Sequence, residues 1–340
     1  MKLGDQLLRT PVYRNLTAVG SGTTDGRMRI VVAERLGEPE VLQVREMDRP
    51  EPELTEILVR VRAAGVNPCD WKTRSGQGSL GHDEFPMILG YDVAGVVEAV
   101  GPGVTVFKPG DEVLGMPKFP VLPGGYAEYL TAAARQFVRK PAKLTFEEAA
   151  ALPLAGLTAW QGLVDTGKVA AGQRVLVHAA AGGVGHLAVQ IAKSFGAYVI
   201  GTASAAKHDF VRALGADEVI DYRTADFAEV LARDPVDLVF DPITADYSVR
   251  SLRVLKNGGV LVSTLPVNES ATAEAQRRGI STDFFLVEPD RLALTALTEL
   301  VDSGRLMVAI DSTYPLSQAA EAHRRGETNR AAGKIVLTLD

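Results

Sequence analysis

The first third of the chain is patterned for strands. Ile57-Leu58-Val59-Arg60-Val61-Arg62-Ala63-Ala64 alternates apolar and charged positions, as a half-buried strand does. Arg29-Ile30-Val31-Val32-Ala33, Val93 to Val100 and Glu112-Val113-Leu114 continue the theme, with turns at Gly101-Pro102 and Pro109-Gly110. After about Thr145 the pattern changes. Phe146 to Ala151 and Thr158 to Gly167 read as helices, and strands then alternate with helices: Arg174 to His178, Tyr198 to Thr202, Glu218-Val219-Ile220, Val236 to Phe240 and Gly259 to Ser263. This alternation predicts βαβ units and a parallel sheet. Asn257-Gly258-Gly259 fits a helix stop. A helix over Arg291 to Ser303 and short strands ending in Lys334-Ile335-Val336-Leu337-Thr338 complete the chain. Residues 1–27 follow no period, and Thr17 to Gly26 is small, polar and glycine-rich. They read as a flexible or loosely docked leader, from an upstream start codon or as a real extension.

Length and composition narrow the class. The 340 residues suffice for two domains, and 46% apolar with 23% charged residues is a globular composition. A net charge of −6 gives no bulk electrostatic reason to expect nucleic-acid binding. One cysteine, Cys69, cannot form an internal disulfide. No apolar run approaches the ~18 residues of a membrane span. The N-terminus has no apolar signal region, so a cytoplasmic enzyme is expected.

The chemistry centres on Ala179-Ala180-Ala181-Gly182-Gly183-Val184-Gly185, between the apolar run Val175-Leu176-Val177 and a helical pattern from His186 to Phe195. Strand, glycine-rich turn and helix start form a phosphate cradle, with unpaired N–H groups and the helix dipole facing the anion. Gly182, Gly183 and Val184 are the expected contacts with a dinucleotide. The next strand runs into Ile200-Gly201-Thr202-Ala203-Ser204 without the carboxylate that receives ribose hydroxyls in NAD binders. Ser204 can donate a hydrogen bond, Lys207 adds positive charge, and Tyr222 can approach the adenine end; Asp209 comes too late, inside the helix. The expected cofactor is NADPH. The five histidines, His82, His178, His186, His208 and His323, show no metal-ligand spacing, and no Gly-x-Ser-x-Gly elbow occurs. His178, in a central strand, is expected to be a hydrogen-bonded core residue.

Several ordered blocks carry a resemblance: Gly65-Val66-Asn67-Pro68-Cys69-Asp70, Gly90-Tyr91-Asp92-Val93-Ala94-Gly95, Gly124-Gly125-Tyr126-Ala127-Glu128-Tyr129, Leu152-Pro153-Leu154-Ala155-Gly156-Leu157-Thr158-Ala159, the glycine loop, and Gly333-Lys334-Ile335-Val336-Leu337. Together they resemble the zinc-independent quinone oxidoreductase branch of the medium-chain dehydrogenase/reductase superfamily. The resemblance implies an α/β protein with a GroES-like β-rich catalytic domain (28–150 and 297–340) around a Rossmann doubly wound parallel-sheet domain (151–296), the cofactor lying between them. Where zinc alcohol dehydrogenases carry a ligating cysteine this chain has Asn67, and where they carry His-Glu it has Tyr91-Asp92, so no metal is expected. Without a Lewis acid an alkoxide is not stabilised, whereas reduction of a quinone or polarised C=C needs none.

By the same resemblance Asn67 is a cleft donor near the nicotinamide. Lys72, where many relatives have tyrosine, can donate to a carbonyl or hold a ribose or phosphate. Thr158, placed at a helix start, Leu265 and Lys334 join the cofactor set, and Tyr91, Phe284 and Phe285 the substrate pocket. Cys69 is expected to be a buried thiol rather than a nucleophile. The implied reaction is hydride transfer from NADPH to a small-molecule quinone or α,β-unsaturated carbonyl, with no membrane or nucleic-acid partner. A homodimer is expected to pair through Gly259 to Ser263 and the residues just after them. A tailoring enoyl reductase of a biosynthetic pathway and a non-enzymatic NADPH-binding scaffold or redox sensor are the alternatives.

Overall fold

The computed structural model describes residues 26–78, 84–122, 124–244, 246–267 and 269–339. The leader up to residue 25, His82 and Pro123 lie outside the described residues. The alternating N-terminal segments form β1 (Arg27–Ala33), β2 (Leu42–Asp48), β3 (Glu56–Val66), β4 (Asp92–Val100), β5 (Glu112–Gly115), β6 (Tyr129–Ala133) and β7 (Phe137–Arg139), with helix α1 (Pro68–Ser75) after β3. In β3 the apolar set Ile57, Val59, Val61 and Ala63 is buried while Arg60 is exposed, which sets the strand's facing.

Helices α2 (Phe146–Ala150) and α3 (Pro153–Trp160) lead into the second sheet. Thr145 and Glu148 close a capping box on α2, and proline starts α3. Thr158 therefore lies well inside α3 rather than at a helix start, because the helix begins five residues earlier than its periodicity indicated. Strands and helices then alternate: β8 (Arg174–Val177), α4 (Gly185–Ser194), β9 (Tyr198–Ala203), α5 (His208–Ala213), β10 (Glu218–Asp221), α6 (Phe227–Val230), β11 (Val236–Asp241), α7 (Asp246–Ser251), β12 (Leu255–Ser263), α8 (Glu269–Arg277) and β13 (Ser281–Phe284). The chain closes with α9 (Arg291–Asp302), β14 (Ile310–Pro315), α10 (Ala319–Glu327) and β15 (Lys334–Thr338). Residue 297 falls inside α9.

Two sheets dominate. β8 to β13 form a six-stranded parallel sheet in the order β10-β9-β8-β11-β12-β13, the doubly wound Rossmann order. Val175, Leu176 and Val177 of β8 are all buried, as a parallel strand covered on both faces requires. The other sheet is the GroES-like one, ordered β14-β15-β3-β4-β5-β7 with β6 also on β3. The C-terminal strand thus returns to the N-terminal part, β15 pairing antiparallel with β3.

Two local expectations are corrected. Asn257-Gly258-Gly259 is not a helix stop: α7 ends at Ser251, and the triplet lies inside β12 as a bulge, with Gly258 at φ 77°. The segment Gly259 to Ser263 is not an edge, since β12 pairs with β11 on one side and β13 on the other; the edge strand is β13.

Candidate active site

The strand order places a crevice where neighbours β8 and β11 send their connections in opposite directions. The glycine loop leaves β8 there. It turns at Ala179, held at φ 48°, a left-handed conformation that costs a non-glycine residue ~1–2 kcal/mol. Thr202 of β9 secures the turn, its hydroxyl accepting from Ala179 N at 3.2 Å and its carbonyl from Ala180 N at 3.0 Å. The N–H groups of Gly183 and Val184 take no backbone acceptor among the described residues, and both residues are half-buried at the start of α4. An anion held there meets free donors and the positive end of the helix dipole. The residues present therefore fit a dinucleotide pyrophosphate.

The opposite wall is built by α1, β4 and β15. Asp92 is fully buried at the start of β4. It accepts from Asn67 Nδ2 at 2.8 Å and from Leu154 N, in the first turn of α3, at 2.6 Å. Lys334, 3% exposed, places its ammonium 3.3 Å from Asp92 Oδ2 and 3.3 Å from Val66 O, and donates to Asn67 Oδ1. This charge arrangement fixes the amide of Asn67: its oxygen faces the cation and its nitrogen the carboxylate. A β-carbon on Gly183 would come 3.1 Å from Lys334 Cδ, so the lysine stem lies against the glycine loop. The structure thus brings Asn67, Lys334 and Gly183 together around Asp92, which sequence reasoning had used only as a departure from the zinc enzymes.

The other predicted residues are distributed around this wall and the loop. Ser204 is buried after β9, and Lys207 Nζ donates to Arg330 O and Ala331 O, both at 2.9 Å, across to the segment before β15. Tyr222 and Leu265 are exposed. Thr158 is buried, and its hydroxyl donates to Leu154 O at 2.7 Å. Tyr91 is fully buried, edge-on to Phe119 with ring centroids 5.0 Å apart, and presents no surface to a pocket. Phe284 is half exposed at the end of β13, while Phe285 turns inward towards Gly162. Lys72 is exposed on the last turn of α1, with no partner for its ammonium among the described residues. Burial pushes the Cys69 thiol up, and the charges of Asp70 and Asp92 add to the shift, so the thiolate is disfavoured.

Sequence reasoning also missed His186. Its Nδ1–H donates to Gly182 O at 3.0 Å, and its Nε2 accepts from Ala309 N at 3.2 Å. Among the described residues no three His, Cys, Asp or Glu side chains converge on a possible metal position. A buried ammonium beside Asp92 also opposes a divalent cation, so the donor set here does not fit zinc.

His178 is a hydrogen-bonded core residue, between Thr202 Oγ1 at 3.2 Å and Ser251 Oγ at 2.9 Å. Burial pushes the imidazoles of His178 and His186 down to about 4 and that of His323 to about 3. Burial pushes the Asp70 carboxyl up to about 7 despite two N–H donors, Asn67 N at 2.8 Å and Gly90 N at 2.9 Å. The two effects oppose each other. Below about 6.5 the unfolded histidines bind protons that the native ones refuse, so stability falls with falling pH, by about 2 kcal/mol per histidine at pH 5. Native Asp70 binds a proton that the unfolded residue releases above about 4, so its contribution rises by about 2 kcal/mol from pH 7 to pH 5. Three histidines outweigh one aspartate. The expected result is a lower thermal midpoint at pH 5 than at pH 7, and a steeper drop in Asp70→Asn; scanning calorimetry across this range measures both.

Comparison with known proteins agrees with this geometry. An alcohol dehydrogenase GroES-like domain matches residues 53–142, and a zinc-binding dehydrogenase domain matches residues 214–337. The chloroplast envelope quinone oxidoreductase homolog of Arabidopsis thaliana is 36% identical over 305 residues, 85% of this chain and 91% of that one. The chain belongs to the medium-chain dehydrogenase/reductase superfamily, in its quinone oxidoreductase-like branch. Among solved members, the quinone oxidoreductase from Coxiella burnetii superposes with a TM-score of 0.87 at 37% identity, covering 92% of this chain and 100% of that one. A mycobacterial protein complexed with NADPH superposes at 0.81 with 32% identity, covering 92% and 100%. This quinone oxidoreductase-like protein is accordingly an oxidoreductase. No helix among its described residues is long and apolar enough to cross a membrane.

Proposed function

We propose that this protein transfers a hydride from NADPH to a quinone or an α,β-unsaturated carbonyl without zinc. The observation that carries the reading is the buried Lys334–Asp92–Asn67 cluster, in which Asn67 and Asp92 occupy positions that the resemblance matches to a ligating cysteine and a His-Glu pair, and a buried ammonium stands beside them. The reduced nicotinamide supplies the hydride. The chain supplies position. Gly182, Gly183 and Val184 cradle the pyrophosphate, and Thr158, Leu265 and Tyr222 flank the rest of the cofactor. Asn67 has two amide N–H groups and spends one on Asp92, which leaves one for an oxygen in the cleft. Lys72 reaches a carbonyl of the acceptor from the cleft mouth, and Phe284 and Phe285 line the acceptor side. We assign no side chain among the described residues as an obligatory general acid, and water supplies the proton.

Preference for NADPH is supported by what surrounds the end of β9. Ser204 and Lys207 stand there, and β9 itself ends without an acidic residue. Burial depresses the Lys207 ammonium, and Arg325 and Arg223 lie close enough to add to that effect against the opposing pull of Asp311. Two of the three Lys207 N–H donors rest on carbonyls, and the third is open to a 2′-phosphate. A homodimer through β13 is supported by its outer edge, which pairs with no strand among the described residues, and by the exposed Phe284 and Leu286 beside it.

The test measures NADPH and NADH oxidation against a panel of quinones and enones, for the wild type and Lys207→Ala. We expect turnover of at least one acceptor with NADPH. In Lys207→Ala, kcat/KM for NADPH should fall about tenfold and that for NADH should not. NADPH binding with no acceptor reduced would instead favour the scaffold or sensor reading. Stoichiometric zinc on metal analysis would overturn the metal-free mechanism.

A further inference from the structure

The glycine loop does not stand on its own domain alone. A phosphate cradle works only if its carbonyl oxygens point away from the anion, and two of them, Ala181 O and Gly182 O, need partners for that. Ala181 O accepts from Gly333 N at 2.9 Å, and Gly182 O accepts both from the backbone N–H of His186 and from the His186 ring, each at 3.0 Å. The other ring nitrogen of His186 takes the N–H of Ala309, in the segment leading to β14, and Ala309 O in turn accepts from Lys334 N at 2.9 Å. Gln190, one helical turn further along α4, reinforces the same seam. Its Oε1 accepts from Met307 N at 2.8 Å, and its Nε2 donates to Met307 O at 2.9 Å. Two helix side chains thus supply the backbone pairing that a neighbouring strand would give.

We propose that His186 is a positioning residue whose ring adds to its backbone N–H in holding the Gly182 carbonyl of the phosphate cradle away from the cofactor and ties the cradle, through Ala309, to the strand carrying Lys334. The ring has the form this needs. It is fully buried and neutral, so it offers one donor and one acceptor, and both are used. Lys334 reaches Asn67, so occupation of the cradle is mechanically continuous with the other end of the cleft. The inference rests on the reading of the loop as a nicotinamide dinucleotide site.

The two nitrogens can be tested separately. Asparagine places an N–H where His186 has Nδ1, and glutamine places an acceptor where it has Nε2. His186→Asn should keep the NADPH Kd within about twofold of wild type, while the amides of Ala309 and Lys334 exchange hydrogen faster in the cofactor-free protein. His186→Gln should protect those amides as in the wild type and raise the Kd about five- to tenfold. Direct calorimetric titration and hydrogen-exchange mass spectrometry read the two effects without turnover, and melting curves confirm that both variants fold. A variant that does not fold is replaced by Gln190→Leu, which should speed exchange at Met307 and Ala309 with little change in Kd. Equal affinities in the two His186 variants, or weaker binding in His186→Asn alone, overturn the proposal. Unchanged exchange in Gln190→Leu does so too. A wild type that binds neither NADPH nor NADH overturns the cofactor reading itself.

Discussion

Lys334→Met should lower the stability of this protein by about 3–5 kcal/mol and remove most of its turnover. The methionine fills nearly the same space, so packing is not the cause. The cause is Asp92, fully buried and left without its cation. Two N–H donors, Asn67 Nδ2 and Leu154 N, remain on that carboxylate, which places the loss at the lower end of the range. Asn67 then loses the partner of its amide oxygen, and its orientation is no longer set by charge. Asp92→Asn should destabilise through the converse fault, a buried ammonium without its carboxylate. The double variant Lys334→Met/Asp92→Asn should recover stability relative to the sum of the single changes, because no unpaired charge is left. Urea denaturation of the four proteins gives the coupling energy, and a coupling near zero would show that the pair does not interact as described.

Gly185→Ala should abolish detectable cofactor binding, a loss of more than about a hundredfold, and destabilise the fold by about 3 kcal/mol or more. Helix propensity alone argues the other way, since alanine is favoured over glycine in a helix by ~1 kcal/mol. The tertiary contact decides. A β-carbon at Gly185 would sit 2.1 Å from Ala179 O and 2.8 Å from Ala180 Cα, and backbone atoms cannot rotate aside. The loop between them must open, and that loop presents the N–H groups of Gly183 and Val184. Gly182→Ala is the control: its nearest neighbour would be Ala179 O at 3.2 Å, so stability should change by no more than about 1 kcal/mol. Melting temperature and NADPH titration on the two variants distinguish a clash from a general intolerance of the loop.

How much of this was legible in the sequence depended on the range of the interaction involved. Four strands of the parallel sheet, Arg174–Val177, Tyr198–Ala203, Glu218–Asp221 and Val236–Asp241, were readable to within a residue because they are short, mostly apolar runs, whereas β12 starts four residues before the segment read as strand and β13 was not read as a strand. The missing carboxylate after β9 was readable for the same reason: it depends only on where one strand ends. Thr158 was misplaced because a proline start outweighed the hydrophobic period, and the β12 bulge was misread because glycine serves helix stops and strand bulges alike. Tyr91 was assigned to a pocket, and packing against Phe119 buries it entirely.

The chain's local order determined a good deal by itself. Periodicity and the turn residues laid down a β-rich part and then alternating strands and helices, and the glycine loop lay between strand and helix. Each of these depends on neighbours a few residues apart. The tertiary structure alone decided what the charged and polar side chains do. Lys334 meets Asp92 across 242 residues of chain, and His186 meets Ala309 across 123. In the sequence a lysine and an aspartate so far apart carry no sign of each other. Burial makes their pairing obligatory, because neither charge can leave water alone.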